Sequence, residues 1–183
     1  MARFDKTLEQ FFYRPDEDAG ALAAVTEGLP APEGPVFQEM VAEYLAFELA
    51  GETYAVAIER VREIVKVPLL TEVPRARAEL LGVMNLRGEV LPVYDVKPKL
   101  RLSDQPAVVR GPSDVGRGAR VVLLRDEVGD AGILVDSVSQ VVKLPAASLE
   151  AAPSGAETTS AIAGLGRKND QLYIVLDVGE VLQ

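Results

Sequence analysis

The chain has 183 residues, 48% of them hydrophobic and 26% charged, a globular composition with enough length for one ordinary domain or two small ones. Its formal net charge of −9 argues against the basic footprint that a nucleic-acid partner requires. Cys and His are both absent, which removes disulfides, thiolate and imidazole catalysis, and the commonest metal ligands.

Residues 1–42 read as an N-terminal arm. They hold eight acidic and three basic residues, and the stretch 14–36 carries Pro15, Pro30, Pro32 and Pro35 with no aromatic residue. Such composition predicts extended, poorly packed chain. Phe4, Leu8, Phe11 and Phe12 interrupt it, falling at i, i+4, i+7 and i+8 on one stripe of a short helix that Pro15 would end. Two readings stand: a solvated leader throughout, or an amphipathic turn whose stripe docks on a partner or on the chain's own body. In the second, the proline-rich stretch is a tether.

From residue 43 onward the pattern is that of strands. Residues 43–49 (EYLAFEL) alternate, with Leu45, Phe47 and Leu49 on one face, the signature of a half-buried strand. Ala50 and Gly51 turn it into 52–58. Residues 59–63 predict a short amphipathic turn and 64–67 a strand closed by Pro68. After a loop around 75–79, 81–86 and 89–94 flank Arg87 and Gly88, a hairpin with glycine at the bend. Pro98 limits any helix in 95–100, and 102–118 is a polar loop. Strands follow at 120–125, 131–135 and 140–144. A small-residue linker spans 146–159, then strands at 161–166 and 171–176 and a last turn at 178–182.

The two halves resemble each other. At an offset of 77, Ile58, Glu59, Val61 and the run Ile64, Val65, Lys66 fall on Val135, Asp136, Val138 and Val141, Val142, Lys143. At an offset of 82, Gly82 falls on Gly164 and LPVYDV (91–96) on YIVLDV (173–178). This predicts an all-β fold of two like subdomains, each a small closed sheet.

The runs FELAGETYAVAI (47–58), VREIV (61–65), GVMNLRGEVLPVYDV (82–96), GILVDSV (132–138) and the LGR…QLYIVLDV ending (165–178) resemble the CheW family of chemotaxis coupling proteins over residues 43–183. The resemblance implies two five-stranded, SH3-like barrels packed side by side. It also implies an adaptor that binds the regulatory domain of a CheA-type histidine kinase and the cytoplasmic tip of chemoreceptors. Like domains in arrays, including further copies of this chain, are further expected partners. Three departures stand out: Ala57 where the family usually has aspartate, Pro98 after Asp95, and a long 101–118 loop.

The resemblance points to Val61, Glu63, Gly82, Asn85, Arg87 and Gly88 as partner-binding residues. Arg87, read as buried or half-buried at its bend, takes Glu63 as candidate partner. That pair either fixes the lobe or orients a receptor-facing groove between lobes. Gly82 and Gly88 read first as backbone requirements, and Val61 as core or as a groove contact. Residues 60–101 hold nine basic against five acidic residues, either a solvated face or a steering surface for an acidic partner.

No catalytic residue, cofactor or metal site is expected. Asp95, Asp136 and Asp177 each end or follow an apolar strand and read as turn chemistry. No apolar run approaches a membrane helix and no signal-peptide pattern is present, so a cytoplasmic protein without membrane insertion is expected. The alternative function is a CheW-like scaffold that positions or assembles signalling arrays through its arm.

Overall fold

The computed structural model describes residues 41–127, 129–152 and 160–183. Phe4, Leu8, Phe11 and Phe12, with the readings placed on the arm, lie outside them. In chain order the strands are β1 (Val41–Leu49), β2 (Glu52–Ala57), β3 (Val61–Lys66), β4 (Leu80–Leu86), β5 (Glu89–Tyr94), β6 (Arg120–Leu124), β7 (Ala131–Val135), β8 (Ser137–Pro145), β9 (Leu149–Ala151), β10 (Ile162–Lys168) and β11 (Gln171–Leu176), followed by α1 (Val178–Leu182). The expected strands are all present. Two begin three residues earlier than the pattern suggested: the stretch 61–63, expected as a turn, is already extended in β3, and β8 starts at Ser137.

The strands form two mixed sheets, one ordered β3-β6-β7-β5-β4 and the other β8-β1-β2-β11-β10-β9. The second has six strands rather than five, because β9 forms inside the expected linker and pairs with β10. A further correction concerns how the chain is shared out. The lobes are not successive halves: the β1–β2 hairpin lies between β8 and β11, while the β6–β7 hairpin lies between β3 and β5. Each half lends its hairpin to the lobe built by the other half.

The repeat is exact at the level of backbone register. Arg62 is skipped where β3 pairs with β6, and Ser139 where β1 pairs with β8, 77 positions apart. The slips between Leu80 and Gly82 and between Ile162 and Gly164 lie 82 apart. The parallel pairing of Val93 with Gly132 recurs as Val175 with Ala55.

Hairpin exchange explains a departure in β1, which was expected to bury one face. Leu45, Phe47 and Leu49 do face a core, yet Tyr44 and Ala46 are buried as well. The first set joins Val122, Leu124, Ile133 and Val135 in a cluster shared by both lobes. The second set lies in the interior of the six-stranded lobe with Val142, Leu144 and Tyr173. In β6 the division repeats, with Val121 and Leu123 packing inside the five-stranded lobe. A strand buried on both faces loses its polar alternation, which is why β6 and β7 are near-continuous apolar runs.

Tight turns close the hairpins. Ala50 and Gly51 both take positive φ, 51° and 86°, as a two-residue loop of this hand demands. The Ala50 N–H donates to Asp136 Oδ2 at 2.8 Å, and Lys97 Nζ lies 2.6 Å from Asp136 Oδ1. Asp95 accepts from the Lys97 and Ala107 N–H groups, and Asp177 from that of Glu180. Asp95 and Asp177 thus accept N–H groups of their own turns, as expected, whereas Asp136 departs from that expectation and accepts from the distant β1–β2 turn.

Phe47→Ala removes a fully buried ring from the shared cluster, with an expected loss of about 3–5 kcal/mol. Both lobes should then melt together in a urea titration followed by circular dichroism and methyl NMR. One lobe surviving after the other has unfolded would contradict a shared core.

Candidate functional site

The β4–β5 hairpin turns through Arg87 and Gly88, with Leu86 paired to Glu89. Their φ angles, 55° and 92°, define a left-handed two-residue loop. Gly88 suits that geometry at no steric cost, whereas an arginine there is uncommon. Asn85 Oδ1 accepts the Gly88 N–H at 3.0 Å and so holds the bend. Arg87 NH2 lies 2.8 Å from Glu63 Oε1, which joins the residues that the sequence set side by side.

The burial expected of Arg87 is not found: its side chain is 77% exposed, against 29% for Glu63. It stands at the tip of a projecting turn, where water solvates the guanidinium. An ion pair so exposed contributes little to stability. Val61 is half-buried at the fringe of the shared cluster, two positions from Glu63. Gly82 is buried, and a Cβ there would stand 2.6 Å from the Thr71 carbonyl oxygen. Its role is to let the strand-like pairing of Thr71 with Val83 approach β4.

Three residues of the cluster were missed. Arg62 NH2 lies 2.6 Å from Glu89 Oε2, and its NH1 lies 2.6 Å from Asp130 Oδ2. Adjacent residues of a regular strand point to opposite faces. The bulge at Arg62 breaks that alternation, and both Arg62 and Glu63 reach the β4–β5 hairpin. Hydrogen bonds from Arg62 hold the Glu89 carboxyl below the usual carboxylate range, and the same bonds raise the Arg62 guanidinium. Glu89 follows Arg87 and Gly88 directly, a signal the motif offered. Nothing local links Asp130 to Arg62.

The other lobe supplies an internal comparison. The repeat offsets carry Arg62 and Glu63 onto Ser139 and Gln140, Arg87 and Glu89 onto Asn169 and Gln171, and Asp130 onto Thr53. Every charge is replaced by an uncharged residue. Gln171 Nε2 donates to Thr53 Oγ1 at 3.2 Å, where the charged lobe has ion pairs. Asn169 and Asp170 occupy the equivalent turn at φ 49° and 62°, the residue types that tolerate this backbone. The barrel closes without the charges.

Of the nine basic residues in 60–101, Arg62, Arg87 and Lys97 are taken up by ion pairs. A separate cavity of about 200 Å³ is lined by Tyr94, Val96, Lys99 and Val181 and includes none of the six expected site residues.

The family model described as CheW-like domain matches residues 43–183. Chemotaxis protein CheW of Helicobacter pylori is 27% identical over 146 residues, covering 79% of this chain and 84% of that protein. Chemotaxis protein CheW of Klebsiella aerogenes is 32% identical over 142 residues, covering 76% and 81%. The crystal structure of scaffolding protein TtCheW from Thermoanaerobacter tengcongensis matches with a TM-score of 0.69 at 25% identity, over 79% of this chain and 94% of that one.

The depressed Glu89 carboxyl has a consequence for pH. A group whose folded value lies below its unfolded one stabilises above the unfolded value, about 4.3 for Glu, and that stability is lost as pH falls through the folded value. Melting temperature should therefore fall less between pH 6 and pH 3 (roughly the titration window) in Arg62→Gln than in the parent chain. Equal falls in the two proteins would show that the ion pair does not operate in solution.

Proposed function

The chain belongs to the CheW-like domain family, and from that premise we propose that the charged turn of its five-stranded lobe is where it engages its signalling partners. The protein is a non-catalytic adaptor of chemosensory signalling that couples chemoreceptors to a CheA-type histidine kinase. Among the described residues no helix is long and apolar enough to cross a membrane. In this reading the protein works in the cytoplasm, with a receptor tip against Arg87, Glu63 and Val61. The kinase's regulatory domain docks on a barrel face.

One observation carries the reading. Five charged residues gather in ion pairs at one end of one lobe, while the residues at their matched positions in the other lobe, Ser139, Gln140, Asn169, Gln171 and Thr53, are uncharged. The charges of that lobe's own turn, Arg167, Lys168 and Asp170, stand at other positions. The fold does not require them. Arginine is also a poor choice for the left-handed turn that Arg87 occupies. Asn85 and Gly88 shape the turn, Glu63 orients the guanidinium, and Val61 supplies an apolar neighbour at the fringe of the shared core. Exposed charge at an interface rim sets orientation and encounter rate, and an apolar neighbour contributes affinity.

Arg87→Asn installs the residue that the other lobe uses at this turn. Its melting temperature should stay within about 2 °C of the parent or rise, because an exposed pair is lost and backbone strain relieved. Co-sedimentation with receptor–kinase assemblies should weaken, and Arg87→Glu should weaken it further. Partial recovery in Glu63→Arg/Arg87→Glu would show that the two side chains act as a pair. Undiminished coupling in Arg87→Glu would overturn the assignment of this turn.

A further inference from the structure

β3 and β8 hold equivalent places in the two sheets, each antiparallel to a strand of an exchanged hairpin. Toward the end of β8, Lys143 stands directly across from Glu43 of β1, with Nζ 3.1 Å from Oε1. The offset of 77 carries this pair onto Lys66 and Arg120, which face each other across β3 and β6. Here both partners are cations. Like charges directly opposite one another destabilise a sheet, so the arrangement carries a cost that the other lobe avoids.

Beside the pair lies an open cavity of about 350 Å³, lined by Lys66, Val67, Pro112, Val115, Arg117 and Arg120 together with Gly116 and Ala119. Three of these are cations and none is an acid. The nearest acids by position are engaged elsewhere. Asp114 accepts the N–H groups of Arg110 and Gly111, and Asp136 is held by Ala50 and Lys97. Arg120 NH1 donates to the carbonyls of Arg117 and Ala119 at 3.1 and 2.7 Å. Those bonds fix the guanidinium plane and leave NH2 and Nε without a partner among the described residues.

We propose that this cavity is a second docking site, built for an acidic segment of a protein partner. Carboxylates of the segment lie between Lys66, Arg117 and Arg120, where ionised hydrogen bonds are strongest. An apolar side chain of the same segment rests on Val67, Pro112 and Val115, which a free anion would leave unused. Bound carboxylate supplies the counter-charge that Glu43 provides for Lys143 in the other lobe. The inference stands apart from the coupling role of the Arg87 turn.

The test uses the full chain and a fluorescein-labelled peptide, Glu-Glu-Val-Glu-Glu-Val, read by anisotropy and by amide NMR shifts. Saturable binding is expected, weakening as salt rises, with shifts confined to Lys66, Val67 and 112–120. Arg120→Glu restores an opposite-charge pair with Lys66. It should raise the melting temperature of the free protein and weaken peptide binding about tenfold or more. Arg117→Glu, outside the strands, should weaken binding without a change in β-sheet shifts, and Lys143→Ala should leave binding as it was. Absence of saturable binding would overturn the proposal. So would an affinity equal to the parent chain's in both Arg120→Glu and Arg117→Glu, or a site that takes inorganic phosphate but not the peptide.

Discussion

Leu45, Phe47 and Leu49 meet Val122, Leu124, Ile133 and Val135 in a cluster that belongs to neither lobe. Each lobe also has an interior of its own, lined by the opposite faces of the same strands. β1 and β6 therefore work twice, as the middle of a sheet and as the wall between sheets. Because the side-chain period is two, a one-residue slip in either hairpin would exchange the contents of two cores at once. The bulges at Arg62 and Ser139 and the turn bond from Ala50 to Asp136 all lie beside these strands and pin that register.

The duplication makes the molecule its own control. Where the two lobes agree, the fold explains the agreement: both close approaches need glycine, Gly82 under Thr71 and Gly164 under Glu150. Both parallel pairings join a hairpin strand to a strand of the other half. Where the lobes differ at matched positions of the same backbone, the shared fold does not dictate the difference. At the β4–β5 end of the five-stranded lobe the difference is one of ion pairing: Arg62, Glu63, Arg87, Glu89 and Asp130 all have uncharged residues at their matched positions. A salt bridge found in both lobes would have said nothing about function, whereas one found at a single end of a repeated barrel points away from folding.

Much of this architecture was legible in the sequence. Alternation located the strands, Ala50 with Gly51 and Arg87 with Gly88 located two hairpins, and the offsets of 77 and 82 disclosed the repeat. What alternation cannot show is which half a hairpin joins, since a β1 paired within its own half and a β1 exchanged to the other carry the same local pattern. The burial of Tyr44 and Ala46 is the trace of that choice, and it is a property of the assembled lobes. β9 escaped notice because Leu149–Ala151 has three residues and owes its form to β10. At the site, Glu63 and Arg87 were legible through the motif. The reach of Arg62 to Glu89 and Asp130 was not, because it depends on a bulge that no local composition announces.

β3 concentrates what is unusual about the chain. It is an edge strand, and an edge strand in a globular protein invites pairing unless charge or covering segments prevent it. Its first residues lean on the β4–β5 turn through Arg62 and Glu63, its middle exposes Ile64, and its end carries Lys66 opposite Arg120. β8, in the equivalent place, has Ser139 and Gln140 at its bulge and a balanced Glu43–Lys143 pair near its end. The same backbone thus carries two chemistries. An adaptor whose lobes are locked through a common core has little freedom to signal by moving one against the other. Discrimination between partners must then come from side chains on a fixed frame, and the charges along β3 are where this chain departs from its own second copy.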